Sequence, residues 1–149
     1  MGTNQIIIKN ALKIVLGIVL YFFAMKLFGL DTISELRFLN FIFVVWGINS
    51  AIKNNIKKNK DTFYISNLFI GVSTSVIAVG MLIIGLITYV SIIDPSFITV
   101  LEKSFLWGSN LTLPLIIFAI AIEGIASSVI CSFILMQYWK NYKVEEYAV

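Results

Sequence analysis

Thirty-two consecutive residues of this chain, from Thr62 to Ile93, carry no charged side chain. About 20 helical residues cross a hydrocarbon core of roughly 30 Å, so this run can span a membrane with residues to spare. Charged residues make up 13% of the chain, whereas soluble domains contain roughly 25%. A soluble core could not hide so much apolar surface, so the composition predicts an integral membrane protein.

Short charged segments divide the chain into four apolar runs. We place the predicted spans at residues 11–30, 35–53, 63–93 and 112–139. The segment between the last two spans combines Glu102 and Lys103 with aromatic and aliphatic residues, which favours an amphipathic segment at the membrane surface. The predicted fold class is therefore all-α integral membrane, with four transmembrane helices in one transmembrane domain and a short amphipathic segment between helices 3 and 4.

The lysine and arginine residues are distributed unequally between the two sides of this predicted topology. One side holds eight of them (Lys9, Lys13, Lys53, Lys57, Lys58, Lys60, Lys140 and Lys143), and the other holds three (Lys26, Arg37 and Lys103). We call Lys53, Lys57, Lys58 and Lys60 the basic knot. The positive-inside rule predicts that the basic knot and both termini are cytoplasmic, in a multi-pass protein of the inner (plasma) membrane.

Several short stretches resemble a known family: Trp46 to Lys53, the basic knot, Ile65-Ser66, Ile70-Gly71, Ser75 to Ala78, and Ile93 to Phe97. Together they resemble the uncharacterised four-span inner-membrane proteins of Bacteroidetes, which are known only as a domain of unknown function. The resemblance implies a bacterial protein with a four-helix membrane fold and no established activity. The loop before the last span is shorter and less charged here than is typical of that family, so the resemblance implies no role for it.

Glu123 is an acidic residue deep inside a predicted span. A charge at that depth costs roughly 2.5 to 10 kcal/mol, so we expect the carboxyl group to be neutral or paired. Lys26 lies at a similar depth in the first span, with an axial offset of about 5 Å at 1.5 Å per residue. The sequence therefore predicts a Glu123–Lys26 charge pair. Three interpretations stay open: an interhelical tie, a proton or ion relay, or a carboxyl group that faces a partner protein.

Small residues recur at helical spacing in the last two predicted spans: Gly71, Ser75, Ala78 and Gly85 in the third, and Ala121, Gly124 and Ser128 in the fourth. Small side chains let helix backbones approach closely. We predict that these residues pack the bundle, or that one of the two sets docks another membrane protein. Asn40, Asn49 and Ser127 are predicted to line a polar seam between the helices.

The sequence contains no arrangement typical of an enzyme or a metal site. Histidine is absent and Cys131 is the only cysteine, so we predict no metal and no cofactor. Asp31 and Glu35 are expected in a solvated turn rather than as a general acid and base. The net charge of +3 is too small and dispersed to predict nucleic-acid binding.

These observations favour a small non-enzymatic inner-membrane protein, an accessory or scaffolding subunit that acts by helix–helix association. The predicted partners are the lipid bilayer and either a second copy of the chain or another membrane protein. The alternative is a small proton- or ion-coupled transporter or channel that uses the intramembrane Glu123.

Overall fold

The computed structural model describes residues 2–30, 33–104 and 111–141, without the side chains of residues 34, 35, 37 and 104. These residues form five α-helices and their connections, and no strand occurs among them. The helices are α1 (Thr3–Leu27), α2 (Asn40–Asn59), α3 (Tyr64–Thr88), α4 (Phe97–Ser104) and α5 (Leu113–Trp139). A 3-10 segment, Ser34–Leu39, precedes α2, and a π-helical turn, Tyr89–Ile93, extends α3.

The helices differ in extent from the predicted spans. α1 begins at Thr3, well before residue 11, and α2 continues through most of the basic knot to Asn59. Lys60 then adopts the left-handed conformation, with φ of 53°, and ends α2. α5 begins as expected after Thr112, with a proline in its first turn, where no intrahelical N–H bond is lost.

The four long helices form a bundle in which α2 and α3 lie in the middle. α2 and α3 contact each other, α1 packs against both, and α5 packs against both from the other side. The contact between α1 and α2 depends on Gly47, because a side chain there would collide with Ile14. α4 covers one end of the bundle, where its Phe97 and Leu101 pack in a buried cluster with Tyr89 and with Ile116 of α5.

The bundle has polar side chains in its interior and large apolar side chains on its surface. Its buried polar residues are Asn10, Asn55, Asn67, Thr74, Ser75, Ser128 and Ser132. Leu27, Ile65 and Phe69 are among the exposed apolar residues, with 87%, 78% and 69% of their surface accessible. A soluble protein would bury such side chains, whereas lipid accommodates them.

Among the residues that the structure describes, three helical stretches are long and apolar enough to cross a membrane: Thr3–Leu27, Tyr64–Ile93 and Leu113–Trp139. They indicate a multi-pass membrane protein. α2 does not belong to this set, because asparagines and lysines occupy its second half. The fourth span and the orientation of the termini therefore stay predictions. Part of the surface segment, residues 105–110, and the tail from 142 to 149 with Lys143 lie outside the described residues.

Candidate functional site

Glu123 lies near the middle of α5, on a face that does not pack against α3. The packed face of α5 contains Gly124, which lies against Val79, and the fully buried Ser128. The side chain of Glu123 is exposed, and no ion pair involves it among the described residues. Its neighbour Ile122 is also exposed. The carboxyl group therefore lies on an apolar outer surface of the bundle.

Small residues lie one helical turn from Glu123 in both directions. Ala119 precedes it by four residues, and Ala126 and Ser127 follow it by three and four. Residues at these spacings share one face of a helix. Because small side chains allow close approach of a second backbone, a further helix that carries hydrogen-bond donors could cover the carboxyl group here.

Lys26, near the end of α1, binds the end of α3 instead of Glu123. Its Nζ atom lies 3.3 Å from Asp94 Oδ2 and donates a hydrogen bond to the Tyr89 hydroxyl group. The same nitrogen lies 4.9 Å from the centroid of the Tyr89 ring. The predicted Glu123–Lys26 pair is therefore absent, and Asp94 is the carboxylate that neutralises Lys26.

The π-helical turn Tyr89–Ile93 places Asp94 close to α1. The backbone N–H of Asp94 donates to the carbonyl oxygen of Tyr89, five residues earlier, at 3.0 Å. Asp94 Oδ1 accepts a hydrogen bond of 2.5 Å from the Ser96 hydroxyl group. This bond, followed by the one from Lys26, holds the pKa of Asp94 below its ordinary value. The sequence pattern did not predict that Asp94 would pair with Lys26.

A polar network closes the turn between α2 and α3. Asn55 Nδ2 donates to Asn67 Oδ1 at 3.0 Å and to Asp61 Oδ2 at 3.2 Å. The Ser66 hydroxyl group donates to the same carboxylate oxygen at 2.5 Å, and Asn59 Nδ2 donates to Asn55 Oδ1 at 2.8 Å. Asn55 and Asn67 are almost completely buried. The network satisfies buried amide groups that would otherwise destabilise the bundle.

Asp61 is the charged member of this network. Hydrogen bonds from the Ser66 hydroxyl group, the backbone N–H of Phe63 and the Asn55 amide lower the pKa of Asp61. The network was not predicted from the sequence, because the lysines of this segment already had an explanation in the membrane topology. One feature of the sequence could have indicated the network. Asparagines flank Asp61 on both sides, and such a cluster of amide side chains is unusual so close to apolar runs.

The three residues predicted to form a polar seam are separate in the structure. Asn49 Oδ1 accepts a hydrogen bond of 2.8 Å from Trp139 Nε1, which links α2 to the end of α5. Asn40 Oδ1 is buried and has no hydrogen-bond partner among the described residues. Ser127 shares a face of α5 with Glu123. No seam runs between these three side chains.

Most of the predicted small residues lie where helices approach each other. A Cβ atom on Gly71 would lie 2.9 Å from Ser132 Oγ of α5 and 3.0 Å from Ile48 of α2. Ser75 and Ala78 are buried on α3, and Ala121 is half-buried on α5. Gly85 is different, because it is exposed and nothing lies within 4 Å of its Cβ position. Gly85 therefore does not belong to the packed face.

All four lysines of the basic knot, Lys53, Lys57, Lys58 and Lys60, are exposed. Lys57 and Lys58 lie in the last turn of α2, where positive charge interacts favourably with the helix dipole. In the part of the chain that the structure describes, no three His, Cys, Asp or Glu residues are grouped so as to hold a metal ion.

Comparisons of the chain with protein-family models, with curated proteins and with solved structures found no match. The fold defines a helical, multi-pass class of membrane protein, and the resemblance noted in the sequence stays a prediction.

Proposed function

We propose that this protein is a non-enzymatic accessory or scaffolding subunit of a bacterial inner membrane, and that the face of α5 around Glu123 docks its partner. The observation that carries the proposal is the exposed carboxyl group of Glu123 in the middle of a long apolar helix. A carboxyl group in contact with lipid is costly, whereas a partner helix with hydrogen-bond donors removes that cost. The small residues Ala119 and Ala126 beside it favour close contact with such a helix.

The proposed topology has four spans with both termini in the cytoplasm. α2 would cross with the help of its neighbours, because α1, α3 and α5 all contact it. The exposed lysines at its end, including Lys53, can extend their charged groups towards the headgroups. The excess of lysine on this side supports the orientation.

The docking proposal is tested by crosslinking in native membranes. Ala126→Cys places a thiol beside Glu123 on the exposed face, whereas Leu20→Cys places one on the surface of α1, where the natural side chain is 68% exposed. A benzophenone maleimide attached to each thiol captures whatever lies next to it, and mass spectrometry identifies the product. We expect a specific product from position 126 and none above background from position 20.

Variants of Glu123 separate a hydrogen-bonded contact from simple proximity. Glu123→Gln keeps a polar group of similar shape, so crosslinking at position 126 should persist. Glu123→Leu removes all hydrogen-bonding capacity and should reduce crosslinking severalfold, because polar contacts between membrane helices contribute about 0.6 to 2 kcal/mol. Equal background products at positions 20 and 126, from a protein that purifies as a monomer, would disprove the scaffolding proposal.

The alternative, a proton- or ion-coupled transporter, uses the same carboxyl group differently. It relied on Lys26 as the charge partner of Glu123, and Lys26 is paired with Asp94. An exposed Glu123 could still carry protons between α5 and a covering partner. In that case Glu123→Gln should abolish a proton-dependent flux in proteoliposomes while leaving crosslinking intact, which distinguishes this alternative from scaffolding.

A further inference from the structure

A groove follows the outer face of α2 beside α5. It has a volume of about 540 Å³ and is lined by Phe41, Ile42, Val45, Trp46, Asn49, Leu135 and Tyr138. Ile42, Trp46 and Tyr138 are 61%, 52% and 77% exposed, so the groove opens to the surroundings of the bundle. Apart from Asn49, its walls are aliphatic and aromatic. A groove of this composition suits a hydrocarbon chain.

Positive charge is concentrated at one end of this groove. Lys53 follows Trp46 by seven residues, which places both on the same face of α2. Lys13 of α1 lies across from Trp46, with its Nζ atom 5.8 Å from the centroid of the Trp46 ring. Lys9 lies one turn before Lys13. Neither α1 nor α2 contains an aspartate or glutamate, so nothing on these two helices neutralises the lysines.

We propose that this groove binds an acyl chain of an anionic phospholipid whose phosphate group pairs with Lys13 and Lys53. The lipid belongs to the leaflet on the lysine-rich side, because its chain then extends from the lysines along Trp46 towards Phe41. Basic sites between membrane helices recognise anionic headgroups in this way. Trp46 supplies an amphipathic ring at the boundary between headgroup and chain.

The lysines favour a lipid over a second protein helix as the occupant. An apolar helix in the groove would trap Lys13 and Lys53 at the contact without a counter-charge, which is strongly unfavourable. A phospholipid supplies the negative charge and the apolar chain in one molecule. This site is separate from the docking face around Glu123, because Glu123 lies 12 residues before Leu135, the first residue that α5 contributes to the groove.

Trp46 serves as the reporter in a quenching experiment. The delipidated protein in a neutral detergent is titrated with phosphatidylglycerol or with phosphatidylcholine, both carrying dibrominated acyl chains that quench tryptophan on contact. Subtracting the signal of Trp46→Phe isolates Trp46 from the other tryptophans. We expect phosphatidylglycerol to quench Trp46 at a concentration at least about fivefold lower than phosphatidylcholine. The attraction between a single lysine and an anionic headgroup is enough to produce a difference of about that size.

Three variants assign the preference to the proposed contacts. The Lys13→Gln/Lys53→Gln double variant should bring the two lipids to within about twofold of each other, whereas Lys58→Gln should retain the full preference. Lys58 is a matched control, since it is exposed on α2 but lies on a different face. Ile42→Trp fills part of the groove at an exposed position. With the signal of Ile42→Trp/Trp46→Phe subtracted, so that only Trp46 reports, it should weaken the quenching by both lipids.

Each remaining outcome overturns the proposal. Equal quenching by both lipids in the natural chain would mean that no anionic site exists. If the double variant still prefers phosphatidylglycerol, the preference arises from the general surface charge and not from Lys13 and Lys53. Unchanged quenching in Ile42→Trp would place the acyl chain elsewhere, and this variant decides the matter if the double variant fails to fold.

Discussion

Replacing Gly47 with alanine tests the closest approach in the bundle. The new Cβ atom would lie 2.6 Å from Cδ1 of Ile14 and closer still to its Cγ1, whereas ordinary contacts begin near 3.4 Å. Ile14 is 1% exposed, so its side chain or the two helices must shift within a packed interior. Overpacking of this kind costs about 1–3 kcal/mol.

Gly85→Ala provides the matched control for that substitution. Both changes replace a glycine inside a helix, which by itself favours the helix by about 1 kcal/mol. Because nothing lies within 4 Å of the Cβ position at Gly85, that variant incurs no collision. Both variants gain the same helix propensity from alanine, so this gain cancels when their stabilities are compared. Gly47→Ala should therefore be less stable than Gly85→Ala by about 1–3 kcal/mol.

The assay is reversible unfolding in mixed micelles with increasing dodecyl sulfate, followed by circular dichroism. Ile14→Ala removes the two atoms that collide, and alone it should cost about 2–5 kcal/mol. In the Gly47→Ala background the same change should cost less, because the two substitutions interact. Equal stabilities of the two glycine variants, or strict additivity of Gly47→Ala and Ile14→Ala, would refute the proposed packing of α1 on α2.

Three further changes test the polar contacts of the bundle. Hydrogen bonds, led by that from Ser66, lower the pKa of Asp61 in the folded state, so they stabilise the fold above the ordinary carboxyl pKa and lose this effect as pH falls through the lowered value. Lowering the pH from about 5 to about 2 should therefore destabilise Asp61→Asn less than the natural protein, as measured by thermal unfolding in detergent. Ser132→Ala should raise stability by about 1 kcal/mol in the same assay, because the buried hydroxyl group has no partner among the described residues. Trp139→Phe removes the bond to Asn49 and should lower stability by about 1 kcal/mol, and an unchanged unfolding midpoint would argue against that bond.

The sequence determined the helical and membrane character of the protein, since charge-free runs have few alternatives to a spanning helix. It did not determine which side chains meet. Depth alone suggested Glu123 as the partner of Lys26, but α1 packs against α2 and α3, and the π-helical turn places Asp94 beside it. Helix pairing and rotation, which depth does not specify, decided this contact.

Gly85 illustrates the same difficulty for packing. It continues the spacing of Gly71, Ser75 and Ala78, yet no other part of the described chain approaches its Cβ position. A repeat within one helix reports the face on which small residues lie, but the position of the neighbouring helix depends on the whole bundle. For the same reason the network around Asp61 could not be derived from the composition of the basic knot alone.

The central position of α2 and α3 has a consequence for biosynthesis. The first three long helices contact each other in every pair, whereas α5 adds contacts only after α4 has been synthesised. The contacts among α1, α2 and α3 can therefore form while the ribosome is still producing the rest of the chain. α5 then docks onto a surface that already exists, and until it does, the buried serine and glycine face of α3 is open to any other helix inserted nearby.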